Sequence, residues 1–385
     1  MAEIKKKLLI VAPYCSLPGE LNFNRFLYLA HMLSNEFEVT LLTSKFRHYD
    51  KKMRSGVVSS DLPFSVCLMD EPGYSKNVSF SRLYSHRVFC NNFKKWFIKN
   101  HDYEVVYSAY PLIETNIILS KFKSNYGYKL IIDVQDVWPE SISSFFPIVS
   151  KLPIELIPFT GKANAAYSSA DGIIAVSKTY LDRASIANKS KNKECVYIGS
   201  DKVAIYSKEP VELNEEPLKL AYIGTLSHSY DLKTAILEMK KFVGKSELHI
   251  MGGGPEEEYL KSIAPNNVKF YGFMEYSQMF AVLRSCDVAL NPIKSSASQS
   301  VTNKLSDYLC VGIPILNSQV NDEVFELLKT VECENYQSGV KASFTKGLHN
   351  LINRKSELKF KPNLTFDRSN EYLKVIRLIR DVLNG

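Results

Sequence analysis

The residues best suited to chemistry in this 385-residue chain lie at positions 298–308. Thr302 and Asn303 open a predicted helix, and the free backbone amides of a first helical turn attract anions. Lys304 can neutralise a phosphate group there, and Asp307 lies on the same helical face, where its carboxylate can accept hydrogen bonds from both hydroxyls of a ribose. The pattern indicates a nucleotide site. In the alternative interpretation Thr302 and Asn303 are helix caps and Lys304 is a solvated charge.

Glycines that directly follow predicted strands form a second group. Gly224 is followed by Thr225, and Gly252 and Gly253 stand together after the next strand, with Gly272 after a third. A glycine between a strand and a helix lets backbone amides approach an anion, so these turns suit a nucleoside diphosphate. Each glycine taken alone is also explained by a tight turn.

A third group ends a predicted strand in the amino-terminal half. Asp136, Trp138 and Glu140 follow the apolar run at 129–136. Carboxylates at a strand end can orient sugar hydroxyls or move a proton, and a tryptophan can stack on a sugar ring. Cap or turn roles for the acidic residues remain the alternative.

Two series of short apolar runs predict the elements that position these groups. The runs occupy 7–13, 37–43, 64–70, 104–110, 129–136, 171–177 and 195–199, and then 219–225, 247–254, 268–272, 287–293 and 313–318. Such runs between amphipathic stretches are typical of parallel strands buried on both faces.

The boundaries between the two series define the predicted domains. We predict an α/β fold of two Rossmann-like, doubly wound domains, at 1–199 and 218–365, with a polar linker at 200–217. Residues 366–385 predict a terminal helix that packs back toward the first domain. Ligands of such sheets bind at the carboxyl ends of the strands, which places the site in a cleft between the domains.

Composition excludes several classes of protein. The seven cysteines are scattered and form no CxxC pair, which argues against a disulfide framework and against a zinc site. No apolar run reaches the ~18 residues of a membrane-spanning helix, and no export signal is recognised at the start. No nucleic-acid recognition module is evident, so we expect no nucleic-acid partner.

The net charge of +7 lies entirely in the first 200 residues, which hold 25 basic and 18 acidic side chains. The predicted helix at 80–99 has five basic residues, no acidic residue and several large aromatic residues. Basic, aromatic helices of this kind bind the surface of anionic membranes. An ordinary packing helix with a solvated basic face is the alternative.

The motif NKLSDYLCVGIPIL resembles the donor-site segment of the family 4 glycosyltransferases. Three further segments follow the same order as in that family. The segment LKLAYIGTLSHSYDL resembles the first strand and turn of its nucleotide-sugar domain, and LHIMGGGPEEEYL resembles the second strand and turn. The segment VKFYGFMEYSQMFAVLRSCDVALNP resembles the base-binding turn with the helix and strand that follow it. LIIDVQDVWPES and ADGIIAVSKTYLDRA resemble segments of the amino-terminal domain. The resemblance implies the GT-B fold and covers nearly the whole chain.

The resemblance also implies roles for individual residues. In the donor domain, backbone groups of Phe273 and Met274 read the base, Asp307 holds the ribose, and Lys304, with the amides at Gly224 and Thr302, holds the diphosphate. We include Thr225, Gly252, Gly253, Lys294 and Asn303 in this predicted donor site. In the acceptor domain, the loop at 12–25 covers the diphosphate and the acceptor, with Gly19 in the loop and Arg25 facing the cleft.

Two departures from the family pattern stand in the donor site. The paired glutamates of the family are replaced by Gln299 and Asp307, and its arginine and lysine after the first glycine turn are absent. Lys304 and Lys294 must then supply the charge for the diphosphate. We predict Asp136, Gln299 and Arg25 as catalytic residues, and Gly19, Trp138 and Glu140 as acceptor-binding residues.

The predicted function is a retaining transfer of a hexose from a UDP- or GDP-sugar to a lipid-linked saccharide, in bacterial capsule, O-antigen or exopolysaccharide synthesis. We expect no metal and no other cofactor. The predicted location is the cytoplasmic face of the cell membrane, bound peripherally through 80–99. Two alternatives remain open, which are a non-catalytic sugar- or nucleotide-binding subunit and a sugar-nucleotide epimerase.

Overall fold

The computed structural model describes residues 5–20, 25–55, 61–76, 79–140, 153, 156–297 and 300–385. The chain divides into two compact units, the first made of Met1–Val196 with Tyr372–Gly385 and the second of Tyr197–Glu371. The segment at 200–217, interpreted from its sequence as a linker, lies within the second unit, where a short helix forms at Lys202–Tyr206.

The first unit is built on a parallel sheet of seven strands in the order β5-β2-β1-β6-β7-β8-β9. These strands are β1 (Lys7–Val11), β2 (Glu38–Ser44), β5 (Ser65–Met69), β6 (Val105–Tyr110), β7 (Lys129–Val134), β8 (Gly172–Ala175) and β9 (Lys193–Cys195). The central strands are buried along nearly their whole length, because helices cover both faces of the sheet. A small antiparallel hairpin of β3 (Phe46–Arg47) and β4 (Lys52–Met53) follows β2.

Helices of the first unit pack on both faces of this sheet. They are α1 (Arg25–Leu33), α2 (Phe80–Lys99), α3 (Ile113–Tyr126), α4 (Thr160–Ser169) and α5 (Lys178–Ser185), together with the terminal helix α14 (Leu373–Asn384). Helix α14 buries Val375, Ile379 and Val382 in the same core as β1 and β6. A side chain at Gly172 would reach to 2.8 Å from Leu378, so the glycine lets α14 lie close against β8.

The second unit has a parallel sheet of six strands in the order β12-β11-β10-β13-β14-β15. These strands are β10 (Leu218–Ile223), β11 (Ser246–Met251), β12 (Val268–Gly272), β13 (Val288–Asn291), β14 (Ile315–Asn317) and β15 (Cys333–Asn335). Its helices are α6 (Lys202–Tyr206), α7 (Leu232–Met239), α8 (Glu257–Ile263), α9 (Tyr276–Leu283), α10 (Asn303–Val311), α11 (Asp322–Leu328), α12 (Lys341–Asn353) and α13 (Arg368–Glu371).

Each sheet has one position where the order of its strands reverses. In the first unit this switch point lies between β1 and β6, and in the second between β10 and β13. Loops leave the two strands in opposite directions there, which opens a crevice at their carboxyl ends where ligands bind in open α/β sheets. The fold therefore marks one candidate position in each unit.

The prediction of two doubly wound α/β domains is confirmed. Sequence reasoning did not find β15 or the β3–β4 hairpin, whose short strands carry too few residues for a periodic pattern, and it placed the strand β9 about two residues too late. Within the described part of the chain, no helix combines the length and the apolar character needed to cross a membrane.

Candidate functional site

Lys304 lies at the switch point of the second unit. It is the second residue of α10, whose first turn is capped by Thr302, and it is only 7% exposed. Its ammonium nitrogen donates a hydrogen bond to the hydroxyl of Tyr222 at 2.8 Å and stands 3.4 Å from the ring centroid of Tyr230. A side chain at Gly224 would come within 3.2 Å of the same nitrogen. The lysine therefore lies beside the turn that follows β10.

Burial is the largest influence on the pKa of this lysine. It lowers the pKa of Lys304 well below the ordinary value, and the negative charge of Asp307 raises it only in part. The two tyrosine rings stabilise the charged form through their π faces without supplying a full negative charge. A bound anion would supply that charge, which makes this nitrogen a candidate contact for phosphate.

The glycine turns have a different role from the predicted one. The amide of Gly224 donates to the carbonyl of Met251 at 2.9 Å, and the amide of Gly252 donates to the carbonyl of Gly272 at 2.8 Å. A side chain at Gly252 would approach the carbonyl oxygen of Gly224 to 2.0 Å, and one at Gly253 would meet the ring of Phe273 at 2.7 Å. The prediction that the Gly224 amide holds the diphosphate is wrong, because that donor is already used within the fold.

Asp307 also differs from its predicted environment. The carboxylate is 5% exposed, and its Oδ1 accepts hydrogen bonds from Ser200 Oγ and Tyr276 Oη, both at 2.6 Å. Burial raises the pKa of Asp307 to about 6, although the two hydroxyl groups lower it in part. Asp307 is thus not the open carboxylate expected for ribose binding, since it ties α10 to Ser200 and to the start of α9.

The other predicted donor residues lie around the same edge of the sheet. Thr225, Phe273 and Asn303 are exposed, while Met274, Lys294 and Thr302 are partly buried. Thr302 Oγ1 accepts a hydrogen bond from the amide of Leu305 at 3.4 Å, which fits the cap alternative for this residue. Gln299 lies outside the described residues.

The switch point of the first unit contains a cavity of about 160 Å³. It is lined by Pro13, Tyr14, Phe26, Ala109, Tyr110, Pro111, Leu112 and Gln135. Its walls are largely apolar, and Tyr14, Tyr110 and Gln135 contribute the polar side chains. That combination fits a small organic ligand that is oriented by a few hydrogen bonds.

Arg25 is a core residue of the first unit. The guanidinium is 3% exposed, donates from Nε to Asp133 Oδ2 at 2.7 Å and from Nη1 to the carbonyl of Val196 at 2.9 Å, and lies over the ring of Tyr372. Burial alone would lower its pKa, but the charge of Asp133 raises it above the ordinary value. The prediction of an Arg25 that faces an open site is wrong, because its charge is compensated inside the fold.

The three predicted residues that follow β7, Asp136, Trp138 and Glu140, have different environments in the structure. Glu140 pairs with Arg183 at 2.5 Å and is mostly buried, so the expectation of an acceptor-binding Glu140 is replaced by an internal ion pair. Asp136 and Trp138 are partly exposed and follow Gln135 along the chain, close to the cavity. Asp136 Oδ1 accepts a hydrogen bond from the next backbone amide at 2.7 Å.

Gly19 is the remaining predicted acceptor residue. Gly19 is exposed and has a φ of 81°, a conformation that favours glycine in the loop after β1.

A second, larger depression of about 530 Å³ lies in the second unit, next to the residues that precede β10 and β13. It is lined by Glu215, Glu216 and Asp287 among others. That is the amino-terminal edge of the sheet, which is the wrong edge for a ligand of this fold.

Sequence reasoning missed the tyrosines of both sites. Tyr222 and Tyr110 belong to runs predicted as buried strands, while Tyr14 and Tyr230 lie in loop segments where the sequence predicted no role for a tyrosine. Among the described residues, no group of three or more His, Cys, Asp or Glu side chains is placed to hold a metal ion.

Comparisons with known proteins agree with this architecture. Residues 206–335 match the family model described as glycosyl transferases group 1. None of the curated proteins compared with the chain matches it by sequence.

Solved structures resemble the chain over nearly its whole length. The sucrose-phosphate synthase of Thermosynechococcus elongatus is 12% identical with a TM-score of 0.72, over 99% of this chain and 100% of that one. The lipopolysaccharide outer core galactosyltransferase WaaB is 15% identical with a TM-score of 0.61, over 97% and 99%. Anabaena HepE in complex with UDP-glucose is 12% identical with a TM-score of 0.61, over 98% of each chain.

These similarities define the class of the protein. Two Rossmann-like units and the solved relatives confirm the GT-B fold. With the group 1 segment in its second unit, the chain is a glycosyltransferase.

Proposed function

We propose that the chain transfers a hexose from a nucleoside-diphosphate sugar, carried by UDP or GDP, to a lipid-linked saccharide. The reaction proceeds with retention of the anomeric configuration, as in the family 4 enzymes that the sequence resembles. The observation that carries the donor part is the buried ammonium group of Lys304, which lies beside the Gly224 turn at the switch point of the second unit. A buried amine with a lowered pKa gains most from a ligand that brings negative charge.

The donor would lie along the carboxyl edge of β10 and β13. Its diphosphate contacts Lys304, with Lys294 and the first turn of α10 nearby, and its base lies against the backbone of Phe273 and Met274. HepE, which shares the fold, is described as a complex with UDP-glucose, and this supports a uridine nucleotide sugar. Gln299 contacts the transferred sugar in this proposal.

The acceptor sugar would occupy the cavity at the switch point of the first unit. Gln135, Tyr14 and Tyr110 offer hydrogen bonds there, and Trp138 offers a stacking face. In the retaining reaction the diphosphate departs and the acceptor hydroxyl attacks the same face of the sugar. Asp136 orients that hydroxyl, and the leaving diphosphate takes its proton.

A lipid-linked acceptor is supported by the outer face of α2. Phe80, Leu83 and Tyr84 are exposed, Phe80 to 90%, and Lys94 and Lys95 lie exposed about three to four turns further along the helix. Apolar and basic side chains on one helix suit the surface of an anionic membrane. WaaB is described as a lipopolysaccharide galactosyltransferase, which supports a role in bacterial surface polysaccharide at the inner face of the membrane.

A donor panel tests the proposal. Purified protein is incubated with UDP-glucose, UDP-galactose or GDP-mannose and a diphosphate-lipid saccharide, and release of nucleoside diphosphate is measured. We expect turnover with one donor, dependence on the acceptor, and an unchanged anomeric configuration in the product by NMR. The Lys304→Met variant serves as the negative control. Absence of turnover and of nucleotide binding with every donor would reject the proposal.

A further inference from the structure

Six aromatic and basic side chains converge at the carboxyl edge of the first sheet, beyond the cavity. We call them the basic aromatic cluster. They come from the loop after β1, the β3–β4 hairpin, the segment after β5 and the first turns of α2. The members are Tyr14, His48, Lys51, Tyr74, Arg82 and His86.

The tyrosines and histidines of the cluster contact one another directly. Tyr14 Oη and His86 Nε2 are 2.9 Å apart, and Tyr74 Oη is in hydrogen-bond contact with His48 Nδ1. The ring centroids of Tyr14 and His48 are 4.9 Å apart. The four rings therefore form one continuous group of polar aromatic side chains.

Two cations lie over one ring of this group. The guanidinium carbon of Arg82 is 5.6 Å and the ammonium nitrogen of Lys51 is 5.1 Å from the centroid of Tyr74. Lys51 has a φ of 60°, a backbone conformation that favours glycine, yet a lysine occupies the position. The position lies in the loop of the β3–β4 hairpin, where a left-handed residue is common.

The cations Arg82 and Lys51 set the charge of the cluster. Burial, together with the charge of Arg82, lowers the pKa of His48 to about 4 and that of His86 to about 3. Burial and Arg82 also lower the pKa of Lys51. The two imidazoles are thus neutral at pH 7, because another positive charge is unfavourable beside the cations.

Two carboxylates, Glu71 and Asp50, lie next to the cluster. Glu71 accepts hydrogen bonds from the hydroxyls of Ser44 and Ser85, both at 2.5 Å, and burial raises its pKa. Asp50 pairs with Arg47 at 2.6 Å. Both acids also act on the cluster, because, beyond the effect of burial, the charge of Glu71 raises the pKa of Tyr14 and Tyr74 and the charge of Asp50 partly offsets the lowering of the pKa of Lys51.

We propose that the basic aromatic cluster binds a phosphate or diphosphate group of the acceptor. Arginine binds phosphate oxygens in a bidentate manner, lysine adds a point charge, and the imidazole nitrogens that do not contact a phenol can donate hydrogen bonds. Tyr14 also lines the cavity, so one acceptor can place a sugar in the cavity and its phosphate in the cluster. The acceptor role rests on the proposed function, whereas the anion site rests on the cluster itself.

Calorimetry with inorganic pyrophosphate tests the anion site. The measurement uses the full chain carrying Lys304→Met, so that the proposed donor site does not contribute. Arg82→Gln and Lys51→Met should each weaken binding by about 10–100-fold, the effect of losing one charged hydrogen bond. The control Arg87→Gln, at an exposed arginine of the same helix, should leave binding unchanged. Glucose 1-phosphate and farnesyl diphosphate, used as further probes, distinguish a soluble from a lipid-linked source.

A spectroscopic readout separates binding from a structural role. Pyrophosphate should raise the pKa of His48 and His86 in NMR titrations, because the anion stabilises the charged imidazoles. The proposal is overturned if pyrophosphate does not bind at millimolar concentration, or if binding is insensitive to both Arg82→Gln and Lys51→Met in folded protein. If the wild-type chain binds pyrophosphate but no nucleotide, the proposed donor function is rejected, whereas the anion site at the basic aromatic cluster is supported.

Discussion

The ammonium group of Lys304 and the ring of Tyr230 are in direct contact, with the nitrogen 3.4 Å from the ring centroid. The contact holds the lysine at the end of β10 while its charge is largely removed from water. A second ring, that of Tyr222, lies 4.4 Å away. The side chain is therefore oriented before any ligand arrives, which reduces the entropy lost on binding.

At a pH above the pKa of the free Lys304, nucleotide binding should take up a proton at this residue. Because burial lowers the pKa of the free lysine and a diphosphate would raise it, the affinity for UDP or GDP should fall as the pH rises above the pKa of the free state. Calorimetry in buffers of different ionisation enthalpy measures the uptake. Lys304→Met should weaken binding at least ~10-fold.

The Lys304→Arg variant is the matched control for this proton. Arginine stays charged across the accessible pH range, so the variant should bind without proton uptake. Equal uptake in the wild type and the arginine variant would assign the proton to another group.

Asp307 should make stability depend on pH. Its pKa of about 6 in the fold lies above the ordinary 3.8, so the native state binds more protons than the unfolded state between these values. The free energy of unfolding should then decrease as the pH rises through both values, by roughly 3 kcal/mol in all from this group and about 2 kcal/mol of it between pH 4 and 6. Urea unfolding at several pH values should show a smaller decrease for Asp307→Asn. Asp322→Asn, at an exposed aspartate of α11, should behave as the wild type.

Removal of Arg25 should destabilise the first unit. Asp133 would keep a buried negative charge without its cation, which typically costs about 3–5 kcal/mol. Denaturant unfolding of Arg25→Met, Asp133→Asn and the double variant gives the coupling energy between them. A coupling near zero would contradict the ion pair.

Gly252→Ala should destabilise the second unit. Its φ of 132° and the carbonyl of Gly224, 2.0 Å from an added Cβ, leave no room for alanine. Backbone strain alone costs on the order of 1–3 kcal/mol. Thermal unfolding should instead show Gly161→Ala to be neutral or stabilising, because that helical glycine faces open space.

Charge reversal on α2 should weaken membrane binding. Lys94→Glu with Lys95→Glu should reduce sedimentation with anionic vesicles, at ~1 kcal/mol per lost basic residue before any added repulsion, and should leave nucleotide affinity unchanged. The same reversal at Lys189 and Lys191, which are exposed elsewhere in the first unit, is the control. Equal sedimentation of wild type and the α2 variant would remove the helix from the proposed membrane surface.

Local patterns were enough to predict most of the fold. Apolar runs such as those of β6 and β10 predict buried strands, because helices on both faces of the sheet remove every side chain of such a strand from water. The position of Lys304 at the start of α10 was also predictable, since Thr302 signals a helix cap. The strand β15, with three residues, is too short to show a periodic pattern of apolar residues.

The environment of each charged residue was beyond the reach of the sequence. Lys304 meets Tyr222 across 82 positions, and Arg25 meets Asp133 across 108. No local spacing encodes such contacts, because chain crossovers bring the partners together only when the sheets form.

The sequence by itself determined the succession of strands and helices, the glycosyltransferase resemblance and the position of Lys304. Only the tertiary structure decided which candidate side chains are open to a ligand. It buried Arg25, Asp307 and Glu140 against partners of the fold and left Asp136 and Trp138 partly exposed. The physical reason is that the state of a charged group depends on water and neighbouring charges, and both are set by packing between distant segments.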